Sequence, residues 1–135
     1  MELLGERTVT IDCDVLSADG GTRAASITGG YVALHSALNQ LVINETISVM
    51  PILESVGAIS LGYVDGELRL DLVYEEDAIA DSDFNVVMTD SGGFVEFQGS
   101  AELAPFNKRQ LESIVGLASR GIQAMFLAQR EALGD

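Results

Sequence analysis

At 135 residues and 47% hydrophobic content the chain is long enough to bury one core and short for two, which predicts a single domain over 1–135. Seven Lys and Arg against 21 Asp and Glu give a formal net charge of -14, and Lys108–Arg109 is the only adjacent basic pair, which excludes a broad nucleic-acid-coating surface. No run approaches the roughly 18 uncharged apolar residues of a membrane span, and the single cysteine, Cys13, with no secretory signal ahead of it, predicts a reduced, cytoplasmic setting without a membrane partner.

In chain order, residues 7–16 (RTVTIDCDVL) alternate Val9, Ile11, Cys13 and Val15 with Thr8, Thr10, Asp12 and Asp14, which predicts a half-buried strand. Cys13 falls on its apolar side and is expected to be buried and inert. After SADGGT, the residues Ala24, Ile27, Tyr31, Leu34, Leu38, Leu41 and Val42 recur at steps of three and four, so a helix is expected from Arg23 to Val42. His35 lies between core positions of that helix and is given no role. GAISLGYV and ELRLDLVY flank Asp65-Gly66, a pair suited to a type I′ hairpin turn. FNVVMT and FVEFQGS form a second hairpin around DSGG. Past Pro105, Asn107 is placed to cap a final helix with Gln110 as its reciprocal partner, and Leu111, Ile114, Val115, Ala118, Ile122, Met125 and Phe126 form its apolar stripe. Strand, helix, four strands and helix make an α+β fold with helices packed on an antiparallel or mixed sheet.

Two segments carry candidate chemistry. In DGGTRAAS the paired glycines let the backbone approach a ligand, and a helix starting just after them directs free N–H groups and the positive end of its dipole outward. With a hydroxyl and a guanidinium added, Gly21, Thr22 and Arg23 suit a phosphate. The same residues also fit a plain glycine turn with Thr22 as helix cap and Arg23 in a surface ion pair. The second segment, residues 67–83, holds seven carboxylates against one Arg. Asp77 and Asp83 sit six residues apart between two strands, where a bend brings both to one hard cation such as Mg²⁺ or Mn²⁺. A solvated acidic loop fits the same composition, and Glu75, Glu76 and Asp81 blur the pattern. A phosphate cradle and a hard-cation site in one chain point together to phosphoryl chemistry.

These stretches, IDCDVLSADGGTRAASITGGYVAL, DLVYEEDAIADSDFNVVMT, EFQGSAELAPF and GIQAMFLAQREAL in this order, resemble the ribonuclease PH family of phosphate-dependent 3′-to-5′ exoribonucleases that trim tRNA precursors. The resemblance implies the ribosomal protein S5 domain 2-like α+β fold, with helices packed on a mixed sheet. It implies inorganic phosphate as co-substrate, bound by Gly21, Thr22 and Arg23, and Mg²⁺ or Mn²⁺ at Asp77 and Asp83. One of those aspartates is alternatively the acid that protonates the leaving oxygen, and Arg23, Asp77 and Asp83 together form the catalytic set. The implied partners are the 3′ end of a tRNA precursor and further copies of the chain, in a hexamer built as a trimer of dimers. It also implies that the chain corresponds to the C-terminal portion of such an enzyme, whose preceding part brings a second phosphate-contacting Arg and basic residues that hold RNA. The rival expectation is a non-catalytic, ring-forming subunit of an exosome-like assembly. The presence of Arg23, Asp77 and Asp83 together speaks for the enzyme.

Overall fold

Two long helices clasp a four-stranded sheet in the structure, a computed structural model that describes residues 2–134. After a short 3-10 turn at Glu2–Leu4 come α1 (Thr22–Ile43), β1 (Val56–Val64), β2 (Glu67–Leu70), the single turn α2 (Tyr74–Asp77), β3 (Ser82–Thr89), β4 (Phe94–Ala101) and α3 (Lys108–Leu133). The strand order is β2-β1-β3-β4 and every pairing is antiparallel, so the sheet is not mixed. Asp65 and Gly66 both take positive φ, 52° and 76°, as a two-residue turn between β1 and β2 requires.

Successive residues of a strand face opposite sides of the sheet, and each side here takes one helix. Ile59 and Leu61 of β1 and Phe84, Val86 and Met88 of β3 pack against Ile114, Ala118, Ile122 and Phe126 of α3, forming the main core. On the opposite side Ala58 and Val87 meet Ala24 of α1. Asn107 caps α3 reciprocally: its Oδ1 accepts from the Gln110 N–H at 3.0 Å, and Gln110 Oε1 accepts from the Asn107 N–H at 2.9 Å. Buried Gln129 ties the layers, its Nε2 donating to the carbonyls of Thr28 at 3.0 Å and Val56 at 2.8 Å.

Three expectations are corrected. Residues 7–16 form no strand. Alternation specifies side-chain placement, but a strand also needs a neighbour for its backbone groups, and none of the four strands pairs with this segment. It runs instead against α1, with Ile11 beside Gly30, and Val9, Ile11 and Val15 are exposed. Cys13 is consequently exposed, not buried, its thiol 3.8 Å from the Ser26 carbonyl. The second strand of the first hairpin stops at Leu70, where Leu72 turns under to pack with Val64 and Ala80, and the chain winds into α2.

Candidate active site

The geometry starts with the glycine loop. Gly21 is the N-cap of α1 with φ of 67°, a left-handed conformation that an L side chain rarely adopts, and it brings no side chain to occupy the leading helical N–H groups. Gly20 lies so close to the Leu72 carbonyl that any side chain there would overlap it. Next to it, Asp19 Oδ1 accepts the N–H of Tyr74 at 2.7 Å. These contacts press the start of α1 against the start of α2, whose last residue is Asp77.

The sheet completes the site. Ser60 pairs with Asn85, and Gly62 with Asp83, across β1 and β3, all on the side that faces α1. Gly21, Thr22, Arg23, Asp77 and Asp83 therefore line one cavity of about 180 Å³, together with Ser60 and Asn85. This is below the ~300 Å³ at which small-molecule pockets begin. The volume is of the order of a small inorganic anion. A larger hollow of about 500 Å³ opens between residues 11–17 and α1, but its walls hold Asp12 and Asp14 and no Lys or Arg, so no cation there balances an anion's charge.

Arg23 is also in an ion pair. Glu96 is the cross-strand partner of Val87 and so shares the α1 side of the sheet. Its Oε1 and Oε2 accept from Nη1 and Nη2 of Arg23, each at 2.7 Å. The hydrogen bonds from Arg23 hold the Glu96 carboxyl below the ordinary range. A guanidinium has five N–H donors, and this end-on pairing uses two of them, so Nε–H and the outer Nη–H groups remain for a second anion.

The carboxylates sort by environment. Burial raises the Asp83 carboxyl above its ordinary pKa, and the charges of Asp77 and Glu102 raise it further. Asp77 is exposed at the mouth of the cavity. Glu76, which the sequence left in competition with them, is spoken for: Arg69 donates to it at 2.7 Å and the Val73 N–H at 3.3 Å. Glu67 takes the other arm of Arg69 at 3.2 Å. Among the described residues no cluster of three or more His, Cys, Asp or Glu is arranged to hold a metal. Two carboxylates with an otherwise watery shell suit the octahedral, water-keeping Mg²⁺ better than an ion that demands an all-protein cage.

Ser60, Asn85 and Glu96 were not singled out by the sequence. The available signal was a polar residue breaking the apolar run GAISLGYV, and the polar alternation Glu96, Gln98, Ser100 in β4. Neither pattern says which strand lies alongside.

Residues 54–121 match the 3′ exoribonuclease family, domain 2. The chain belongs to the 3′ exoribonuclease family. The matched stretch contains Asp77 and Asp83, and Gly21–Arg23 lie before it. All 135 residues are 52% identical to the ribonuclease PH of Moorella thermoacetica, covering 54% of that protein in its C-terminal part. The chain thus spans about half the length of this curated relative. Among solved structures, rice (Oryza sativa) Rrp46 superposes with a TM-score of 0.61 at 18% identity, over 87% of this chain and 48% of that one. The Archaeoglobus fulgidus exosome with RNA bound to the active site superposes with a TM-score of 0.63 at 14% identity, over 84% and 45%. At those identities the likeness shows a shared α+β fold. No helix among the described residues is long and apolar enough to cross a membrane.

Proposed function

We propose that this chain provides the phosphate-binding and acidic side of the active site of a phosphate-dependent 3′-to-5′ exoribonuclease acting on tRNA 3′ ends. The observation that carries the reading is the convergence of Gly21, Thr22, Arg23, Asp77 and Asp83 on one small cavity. In the reaction an oxygen of inorganic phosphate bonds to the phosphorus of the terminal nucleotide. The bond from that phosphorus to O3′ of the preceding ribose breaks. O3′ takes a proton, a nucleoside diphosphate leaves, and the RNA is one nucleotide shorter.

Arg23 and Thr22 hold the attacking phosphate and the leading N–H groups of α1 face its charge, so the gain is orientation and neutralisation. Asp77 and Asp83 are the residues that would hold Mg²⁺ or Mn²⁺, which when bound neutralises charge on the transferred phosphoryl group. Alternatively Asp83, whose carboxyl burial raises above its ordinary pKa, is not a metal ligand and supplies the proton to the leaving O3′. Oligomerisation of this chain in a hexameric ring and a cytoplasmic location belong to the same proposal. A ring subunit without catalysis has no use for a cation and two carboxylates in one cavity, and this favours the enzyme.

The test is a chimaera in which this chain replaces the matching part of the Moorella protein. Incubated with a tRNA bearing a 3′ extension, it is expected to shorten the extension one nucleotide at a time, only when phosphate is present. Arg23→Ala and Asp83→Asn are expected to slow this about a hundredfold or more. A chimaera that assembles and binds RNA but leaves it intact would support the structural-subunit reading instead.

A further inference from the structure

Ser60 sits in the middle of β1 on the side facing α1, with Asn85 as its cross-strand partner, and it lines the cavity of Arg23 and Asp83. Its hydroxyl oxygen is out of contact with solvent and has no hydrogen-bond partner among the described residues. It lies under the helix start: a Cβ on Gly21 would come within 2.9 Å of it. A buried hydroxyl without a partner is unfavourable in a folded protein and calls for a physical explanation. Here the explanation is in the adjoining space, where Arg23, Thr22 and the N-terminus of α1 attract a tetrahedral oxyanion.

We infer that Ser60 is a ligand of the bound phosphate, donating its hydroxyl hydrogen to an oxygen of the anion from the sheet side of the cavity. The inference rests on the reading of this cavity as a phosphate site and extends it: the anion is held from above by α1 and Arg23, and from below by β1. Glycine at 21 then serves two ends, a helix start in the left-handed conformation and a clear path between that start and the Ser60 hydroxyl. Asp77 and Asp83 line the same cavity, and the Asp71 carboxylate also stands near, its Oδ1 3.4 Å from where a Gly21 Cβ would sit; none of the three bonds to the Ser60 hydroxyl in the structure. Its donor is therefore free for an incoming anion.

The test is calorimetric titration of the chain with inorganic phosphate, beside thermal unfolding with and without phosphate, for the native sequence, Ser60→Ala and Arg23→Ala. Ser60→Ala is expected to weaken phosphate about tenfold, the usual loss for one hydrogen bond to a charged group. Without phosphate its unfolding midpoint is expected to equal or exceed that of the native sequence, because the deleted hydroxyl had no protein partner. Three results would overturn the inference in distinguishable ways. Unchanged affinity in Ser60→Ala with lost affinity in Arg23→Ala shows a phosphate site that Ser60 does not touch. A midpoint lowered in Ser60→Ala without phosphate shows a structural role. A native chain that is folded and takes up no phosphate removes the phosphate site itself, and Ser60 with it.

Discussion

Arg23 faces two anions, the Glu96 carboxylate it already holds and the phosphate it is proposed to bind. With Arg23 51% and Glu96 35% exposed, their pairing is screened by water, so it cannot lock the guanidinium away from a second ligand. Arg23→Ala is expected to weaken phosphate by about ten- to a hundredfold, as removal of a charge-assisted pair does. Glu96→Gln keeps the side chain and removes a negative charge beside the site, so phosphate is expected to bind about threefold more tightly at low salt, less so as salt rises. Weaker binding in Glu96→Gln, read by the same titration, would recast Glu96 as a tether that the cation needs. Asp83 gives a pH signature. Its carboxyl is raised in the folded state, so its contribution to stability is fully present below the unfolded value of 3.8 and is lost as pH rises through the raised pKa. Asp83→Asn is therefore expected to unfold at a higher temperature than the native sequence at pH 7, with the difference closing as pH falls below that value. An equal or lower midpoint at pH 7 would mean that the burial of this charge is already compensated. Arg23, Asp77 and Asp83 were singled out in the sequence through local patterns, a cation behind glycines and two carboxylates six apart, although Asp77 ends α2 and Asp83 stands in β3 and not in an irregular bend. Ser60 and Glu96 were not, because their roles depend on strand neighbours.

Among the elements, the glycine loop does most to assemble the site, since it starts α1 and docks on Leu72 and Tyr74 in the same four residues. Gly21→Ala forces an L side chain into left-handed backbone, at a cost of about 1–2 kcal/mol, and crowds Ser60 as well. It is expected to lower both stability in urea and phosphate affinity; an unchanged urea midpoint would show that the loop can relax without loss. The two long helices were readable, while the sequence reads as irregular loop where the single turn α2 forms. The expected Arg23–Val42 is Thr22–Ile43, and the Asn107–Gln110 cap is where its spacing placed it. Both hairpins were readable from their turn residues. The segment 7–16 was not, because periodicity reports how side chains alternate and is silent on whether another strand is there to pair with. The antiparallel β1–β3 pairing, which sets Ser60 beside Asn85, joins segments across residues 65–81 and leaves no local mark.

For the whole molecule, charge and exposed surface decide what the chain does alone. A net charge of -14 repels an RNA backbone, and the seven cations are scattered or already paired, as Arg69 is with Glu67 and Glu76. Leu16, Leu53 and Leu103, exposed by 93%, 91% and 74%, add apolar surface that favours association. The 135-residue chain by itself is therefore expected to release nucleoside diphosphate from a tRNA 3′ extension at least about a hundredfold more slowly than the Moorella ribonuclease PH, since a nucleophile and an RNA held loosely lose that much. Comparable rates would show that the chain needs no further cations. The central claim is that phosphate attacks the RNA from the cavity of Arg23, and isotope tracing tests it most directly. Labelled inorganic phosphate is supplied with unlabelled tRNA to the chimaera that carries this chain. The account predicts that the label appears in the released nucleoside diphosphate and that Arg23→Ala slows its appearance about a hundredfold or more. Unlabelled nucleoside monophosphate as the product, formed equally well without phosphate, would contradict it.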